Sequence, residues 1–128
     1  MSLRFITPTY HAYLDYPVAA GLIVSALATP LGRTNSAAML LALGVGIAAF
    51  VLTTLTDHAL GIWRVLPYWF HLAVDFIVGL TFVAAPSTLG FRGFDAWFFW
   101  LNGIAVLTVV ALHRPQPETF DQQDHCMA

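Results

Sequence analysis

Polar positions come in short clusters along this chain, and between them lie four apolar stretches. Each is close to the roughly 20 residues that an α-helix needs to cross about 30 Å of hydrocarbon. None alternates polar and apolar at the period of a strand, so all four read as helices. Thr7-Pro8 is an N-cap followed by proline at the first helical position, which opens a helix to about Thr29. Pro17 lies inside it and predicts a kink between Tyr13 and Pro17. After the turn that starts at Pro30, Asn35 or Ser36 caps a second helix over about Ala37 to Thr56. Asp57 to Pro67 is the longest charged connection, and a third helix follows over about Tyr68 to Ala85. Pro86 ends it, and Asp95 caps a fourth helix from Ala96 to His113.

The pattern occurs twice. Tyr10-His11-x-x-Leu14-Asp15-Tyr16 opens the first helix and Phe70-His71-x-x-Val74-Asp75-Phe76 the third, and each run has a glycine near its middle and a proline near its end. The second helices of the two halves share Gly46-Ile47-Ala48 and Gly103-Ile104-Ala105, and each closes on a histidine, His58 or His113. Two crossings per half leave the first and third helices pointing the same way. The predicted fold is therefore an all-α membrane protein of four transmembrane helices, built as two tandem two-helix repeats, about 8–58 and 67–114. A pseudo-two-fold axis along the membrane normal would relate them. Residues 1–114 form one domain, and the acidic, proline-punctuated stretch 115–128 reads as a flexible polar tail.

Composition agrees with this pattern and removes alternatives. Of 128 residues 59% are hydrophobic and only 9% charged, against about 25% charged in a soluble domain. The partner implied is a lipid bilayer. Five basic residues, all arginine and scattered singly, leave no basic stripe for nucleic acid. Cys126 is the single cysteine, so neither an internal disulfide nor a thiolate metal site can form. Met1 to Tyr16 lacks the features of a secretory signal, and the first span is expected to remain as an anchor. Small residues in Leu41–Phe50 favour close helix packing, and Trp63, Tyr68 and Trp69 read as an interfacial belt.

Four crossings gather His11, His58, His71 and His113 on one face, with Asp15, Asp57 and Asp75 beside them. Ionisable groups inside spans are rare and need a reason. At a separation of four residues His11 and Asp15 share a helix face, as do His71 and Asp75. A transition metal could be held by imidazoles and carboxylates from His11, Asp15, His71, Asp75, His58 and His113. A b-type haem could be clamped between His11 and His71, which sit at similar depth. A proton or ion pathway is the third chemistry. Against all three stands a structural reading, in which each histidine and aspartate neutralise one another near the headgroup level. Asp15 could also cap a helix that restarts at Tyr16. If a cofactor is bound, the His11 and His71 rings should turn toward the bundle axis and approach each other.

Other positions have plainer explanations. The aromatic residues Trp97, Phe98, Phe99 and Trp100 read as lipid-facing anchors, Asn102 as an interhelical hydrogen-bond donor, and Thr53, Thr54 and Thr56 as hydroxyls bonded to their own helix. No nucleophile elbow, phosphate loop or zinc-protease motif occurs.

Two tandem two-helix units, each with a short proline element after its first helix and an aromatic-rich second helix, resemble the SPW-repeat family of small bacterial membrane proteins. Ala28-Thr29-Pro30 and Ala85-Pro86-Ser87 stand where that family has Ser-Pro-Trp. The resemblance implies a polytopic protein of the bacterial inner membrane with no assigned activity. The expected role is then a non-enzymatic accessory or assembly subunit that packs against a larger membrane complex or a second copy as a homo-oligomer. The alternatives are a haem- or metal-binding redox subunit and an ion-pathway component. Arg4, Arg64 and Arg114 flank the histidine face and Arg33 and Arg92 the opposite one, which places both termini in the cytoplasm.

Overall fold

The computed structural model describes residues 3–58 and 60–114 and is all-helical. The tail stretch 115–128, with His125 and Cys126, lies outside the described residues. Four helices follow one another: α1 (Pro8–Ala28), α2 (Ser36–Leu55), α3 (Tyr68–Leu89) and α4 (Phe94–Ala111). Three of them, α2, α3 and α4, are long and apolar enough to cross a membrane. α1 is as long, but Tyr10, His11, Tyr13, Asp15 and Tyr16 dilute its first half.

The starts of α1 and α2 follow the capping chemistry. Thr7 accepts from the Tyr10 N–H at 3.3 Å ahead of Pro8, and Asn35 accepts from the Ala37 N–H at 3.1 Å. α1 continues without interruption through Pro17, which removes the restart at Tyr16 and leaves Asp15 free to face His11. Two boundaries differ from expectation. α3 runs past Pro86 to Leu89, because a proline one turn from a helix end forfeits a single backbone bond, and Gly90, at φ 72°, then turns the chain. α4 begins at Phe94 rather than Ala96, and Asp95 does not cap it. The Asp95 carboxylate is 2% exposed and accepts from the Gly32 N–H and the Thr34 hydroxyl, both at 2.9 Å, so it ties the α1–α2 turn to the start of α4.

The helices pack chiefly as two hairpins, α1 on α2 and α3 on α4. Gly46 on α2 lies so close to α1 that an added Cβ would stand 3.1 Å from the Ala19 carbonyl oxygen. Gly103 on α4 does the same to α3, where a Cβ would stand 3.0 Å from the Gly79 oxygen. Small residues at these crossings give the backbone approach that packing in lipid relies on. The hydrophobic core occupies the end away from the histidines and includes Leu22, Ala42, Phe82, Phe91 and Phe99. Phe99 is therefore buried, edge-on to Phe82 with ring centroids 4.9 Å apart, and is not a lipid anchor. Trp97 is 62% exposed and does fit that role.

At the histidine end two short backbone pairings close the bundle. Ile6, just before α1, bridges His113 after α4, and Leu66, just before α3, bridges Thr56 after α2. Their hydrogen bonds include Arg114 N–H to the Ile6 oxygen at 2.7 Å and Asp57 N–H to the Leu66 oxygen at 2.8 Å.

Candidate metal centre

Each helical histidine reaches the aspartate one turn deeper on its own helix. His11 Nε2 lies 3.1 Å from Asp15 Oδ1, and His71 Nε2 lies 3.3 Å from Asp75 Oδ2. The two helices also cross-connect. His11 Nε2 is 2.8 Å from Asp75 Oδ2, and His71 Nε2 is 3.2 Å from Asp15 Oδ2. One oxygen of Asp75 thus faces both imidazoles. One ligand atom from each of the four residues can be chosen so that all lie within 4.8 Å of one another. Both histidines are 1% exposed, and the two aspartates are partly buried.

The tautomer of His71 follows from its other neighbour. Thr56 Oγ1 lies 2.7 Å from the Leu52 carbonyl oxygen and 2.7 Å from His71 Nδ1. A hydroxyl has one proton, and the carbonyl can only accept, so that proton goes to Leu52. His71 Nδ1 must then carry hydrogen and donate to Thr56. In the neutral ring the Nε2 lone pair is left pointing at two carboxylate oxygens, an arrangement that a cation between them stabilises. Fixing a ligating histidine by a bond to its other nitrogen is how metal sites orient imidazole. Thr56 thus does more than bond its own helix, and the signal that would have shown it is its pairing with Leu66, which sequence spacing does not reveal.

Two imidazoles and two carboxylates form a mixed nitrogen and oxygen donor set suited to a divalent first-row ion. A tetrahedral ion with bonds of about 2.1 Å separates its ligand atoms by roughly 3.4 Å, and the nitrogen to oxygen contacts of 2.8 to 3.3 Å need to open only slightly to admit one. Haem fits less well. The His11 and His71 rings are close, at 5.6 Å between centroids, yet the carboxylate oxygens fill the space into which both Nε2 atoms point, and a porphyrin cannot enter there. The geometry thus suits a metal ion held by the four side chains better than axial ligation of a haem.

His58 and His113 stand outside the quartet. His58 lies in the connection after α2, its Nδ1 accepting from the Leu60 N–H at 3.2 Å, with its ring 6.0 Å from that of His71. His113 follows α4, with its ring 6.2 Å from that of His11. Of the six residues expected as metal ligands, the group whose ligand atoms converge is His11, Asp15, His71 and Asp75, and His58 and His113 lie beside it. Burial, reinforced by the neighbouring His71, holds the His58 value below the ordinary histidine range. His113 is lowered by burial, then by His11 and Arg4. Tyr68 lies between them and is turned inward, not toward lipid as a belt residue would be. Its ring stacks on His71 at 6.1 Å and lies 5.0 Å from His113 and 6.0 Å from His11. Its neighbours Trp63 and Trp69 are 65% and 69% exposed, as interfacial residues should be. Nothing in the spacing of three adjacent aromatic-rich positions singles out the one that faces in.

Below the quartet, between the hairpins, a cavity of about 430 Å³ is walled by Leu14, Val18, Val45, Leu52, Val78 and Val106. His11, Asp15, His71 and Asp75 form its polar end. Asn102 lines it as well, but its amide donates to the Phe98 oxygen of its own helix at 2.8 Å and so does not link helices. In comparisons with known proteins no family model, no curated protein and no solved structure matches this chain.

Proposed function

We propose that this chain is a polytopic integral membrane protein whose His11, Asp15, His71 and Asp75 bind one divalent transition-metal ion. The observation that carries the reading is the hydrogen bond from His71 Nδ1 to Thr56, which leaves Nε2 free to ligate while it faces two carboxylates. Such a donor set in an apolar bundle is costly to bury, and a cation shared by its four ligand atoms offsets that cost. The role is that of a binding subunit rather than an enzyme.

In the same reading all four helices cross the bilayer, α1 included, as two tandem hairpins about an axis along the membrane normal. Two correspondences support the duplication. Gly46 against Ala19 repeats as Gly103 against Gly79, and the pairing of Ile6 with His113 repeats as that of Leu66 with Thr56. The resemblance to SPW-repeat proteins favours a bacterial inner-membrane protein, and Arg4, Arg64 and Arg114 against Arg33 and Arg92 favour both termini in the cytoplasm.

The test is metal analysis of the protein purified in detergent. About one equivalent of a first-row divalent ion per chain is expected, with loss of it in His11→Ala and His71→Ala. Folded wild-type protein that takes up neither native metal nor added Co2+ would exclude the proposal. It would leave the quartet as a structural ion-pair network in an accessory or assembly subunit.

A further inference from the structure

Above the quartet, on its aqueous side, four buried polar atoms have no hydrogen-bond partner among the described residues: His11 Nδ1, His58 Nε2, the Tyr68 hydroxyl and His113 Nδ1. They belong to one cluster, because the Tyr68 ring is within 5.0 to 6.4 Å of the rings of His11, His58, His71 and His113. Buried polar groups left without protein partners are satisfied by water. The two halves differ in this respect. Leu66 pairs with Thr56, whose hydroxyl meets His71 Nδ1 directly, whereas Ile6 pairs with His113, and His113 Nδ1 and His11 Nδ1 both lack partners. His71 Nδ1 is satisfied on that side, and His11 Nδ1 is not. Ring spacings of about 6 Å suit a bridging water better than a direct bond, and among the described residues only the quartet brings three or more ligand atoms together.

We propose that His58, Tyr68 and His113 line a hydrated vestibule through which aqueous divalent cations reach the quartet from the histidine face. This rests on the reading of the quartet as a metal centre. On the other side the ion meets a cavity whose walls are almost wholly apolar, and a hydrated or bare cation crossing it would lose its solvation with nothing in exchange. The ion therefore enters and leaves by one face. The arrangement loads a buried site and does not conduct across the bilayer. Asp15, Asp75 and His71 bound the vestibule from below, and Arg4 stands near enough to His113 to act on its charge.

Two measurements test it, one independent of metal. Radiolytic hydroxyl labelling marks side chains that touch water, with mass-spectrometric readout on the intact protein in detergent. Tyr68 should be labelled, while Phe82 and Phe99, fully buried in the apolar core, should not. A Tyr68 as silent as those phenylalanines means a dry layer and overturns the vestibule, whatever the metal content. The second is stopped-flow Co2+ uptake, followed by its visible absorption. His113→Leu should slow uptake and release at least tenfold, and Tyr68→Phe several-fold, with the final absorbance unchanged. Unaltered rates in both variants would show that the ion arrives by another route. Absence of any Co2+ signal in the wild type would remove the metal centre itself, and with it the inference, even with Tyr68 labelled.

Discussion

Thr56 Oγ1 and His71 Nδ1 are 2.7 Å apart, and this contact joins the end of α2 to the third residue past the start of α3 within the most buried layer of the histidine face. Because Thr56 spends its proton on the Leu52 oxygen, it can only accept from His71. Replacing it by valine keeps the shape and removes the acceptor. Loss of such an outer partner typically costs about 10- to 100-fold in metal affinity, so Thr56→Val should weaken Co2+ binding by that order. Thr56→Ser should restore it. Titration of both variants in detergent checks the pair, and equal affinity in wild type and Thr56→Val would show that the hydroxyl does not orient the ring.

How much of this was legible beforehand follows from which interactions are local. Helix count, the cap at Asn35 and the sharing of a face by His11 with Asp15 depend on residues within a turn or two, and a single sequence displays them. That His11 would meet Asp75 could be anticipated only because the motif is duplicated on helices that run the same way. Tyr68 and Asp95 depart from the sequence expectation, and Thr56 adds a second contact to the expected bond to its own helix, for one reason. Each turns toward a distant segment, and its neighbours in sequence, Trp69, Leu55 and Phe94, give no hint of the choice. The buried place of Phe99 likewise depends on Phe82 and Phe91.

Asp75 separates the metal reading from the structural one. Its Oδ2 faces both imidazoles, and an asparagine keeps an acceptor oxygen there without the charge. Asp75→Asn is expected to stay folded. Added Co2+ should raise the melting temperature of the chelator-stripped wild type, since a ligand that binds only the native state stabilises it, and should leave that of stripped Asp75→Asn unmoved. The same metal-induced rise in both proteins would show that the carboxylate is not a ligand.

Packing of the second hairpin can be tested at Gly103. A Cβ there would stand 2.9 Å from the Val83 nitrogen, which is backbone and cannot step aside, whereas Gly44 has nothing within 4 Å. Gly103→Leu should destabilise by at least the roughly 1–3 kcal/mol that overpacking costs. Gly44→Leu should change little. Thermal unfolding in one detergent compares them, and indistinguishable transitions would refute the close approach of α3 and α4.

The proposed orientation, with both termini in the cytoplasm, rests on three arginines on the histidine face against two opposite. A reporter that is active only in the periplasm, fused after Ala128, should be silent, and one active in the cytoplasm should report. High periplasmic activity would invert the topology and make the periplasm the side from which the quartet is loaded.

The far end of the bundle should behave independently of the metal. Asp95 is buried and holds the Gly32 N–H and the Thr34 hydroxyl, both in the turn that joins α1 to α2. Alanine at this position would leave two donors without their acceptor, and an unsatisfied buried group costs about 1–3 kcal/mol. Asp95→Ala should therefore lower the melting temperature clearly. In Asp95→Asn the amide oxygen can still accept from Gly32 and its NH2 can donate to Thr34, so most of the loss should be recovered. Neither variant should alter Co2+ affinity, because distant sites that share no partners act additively. A drop in affinity in Asp95→Ala without any change in melting temperature would mean that the two ends of the bundle are coupled, and that the turn does not serve merely to hold the hairpins together.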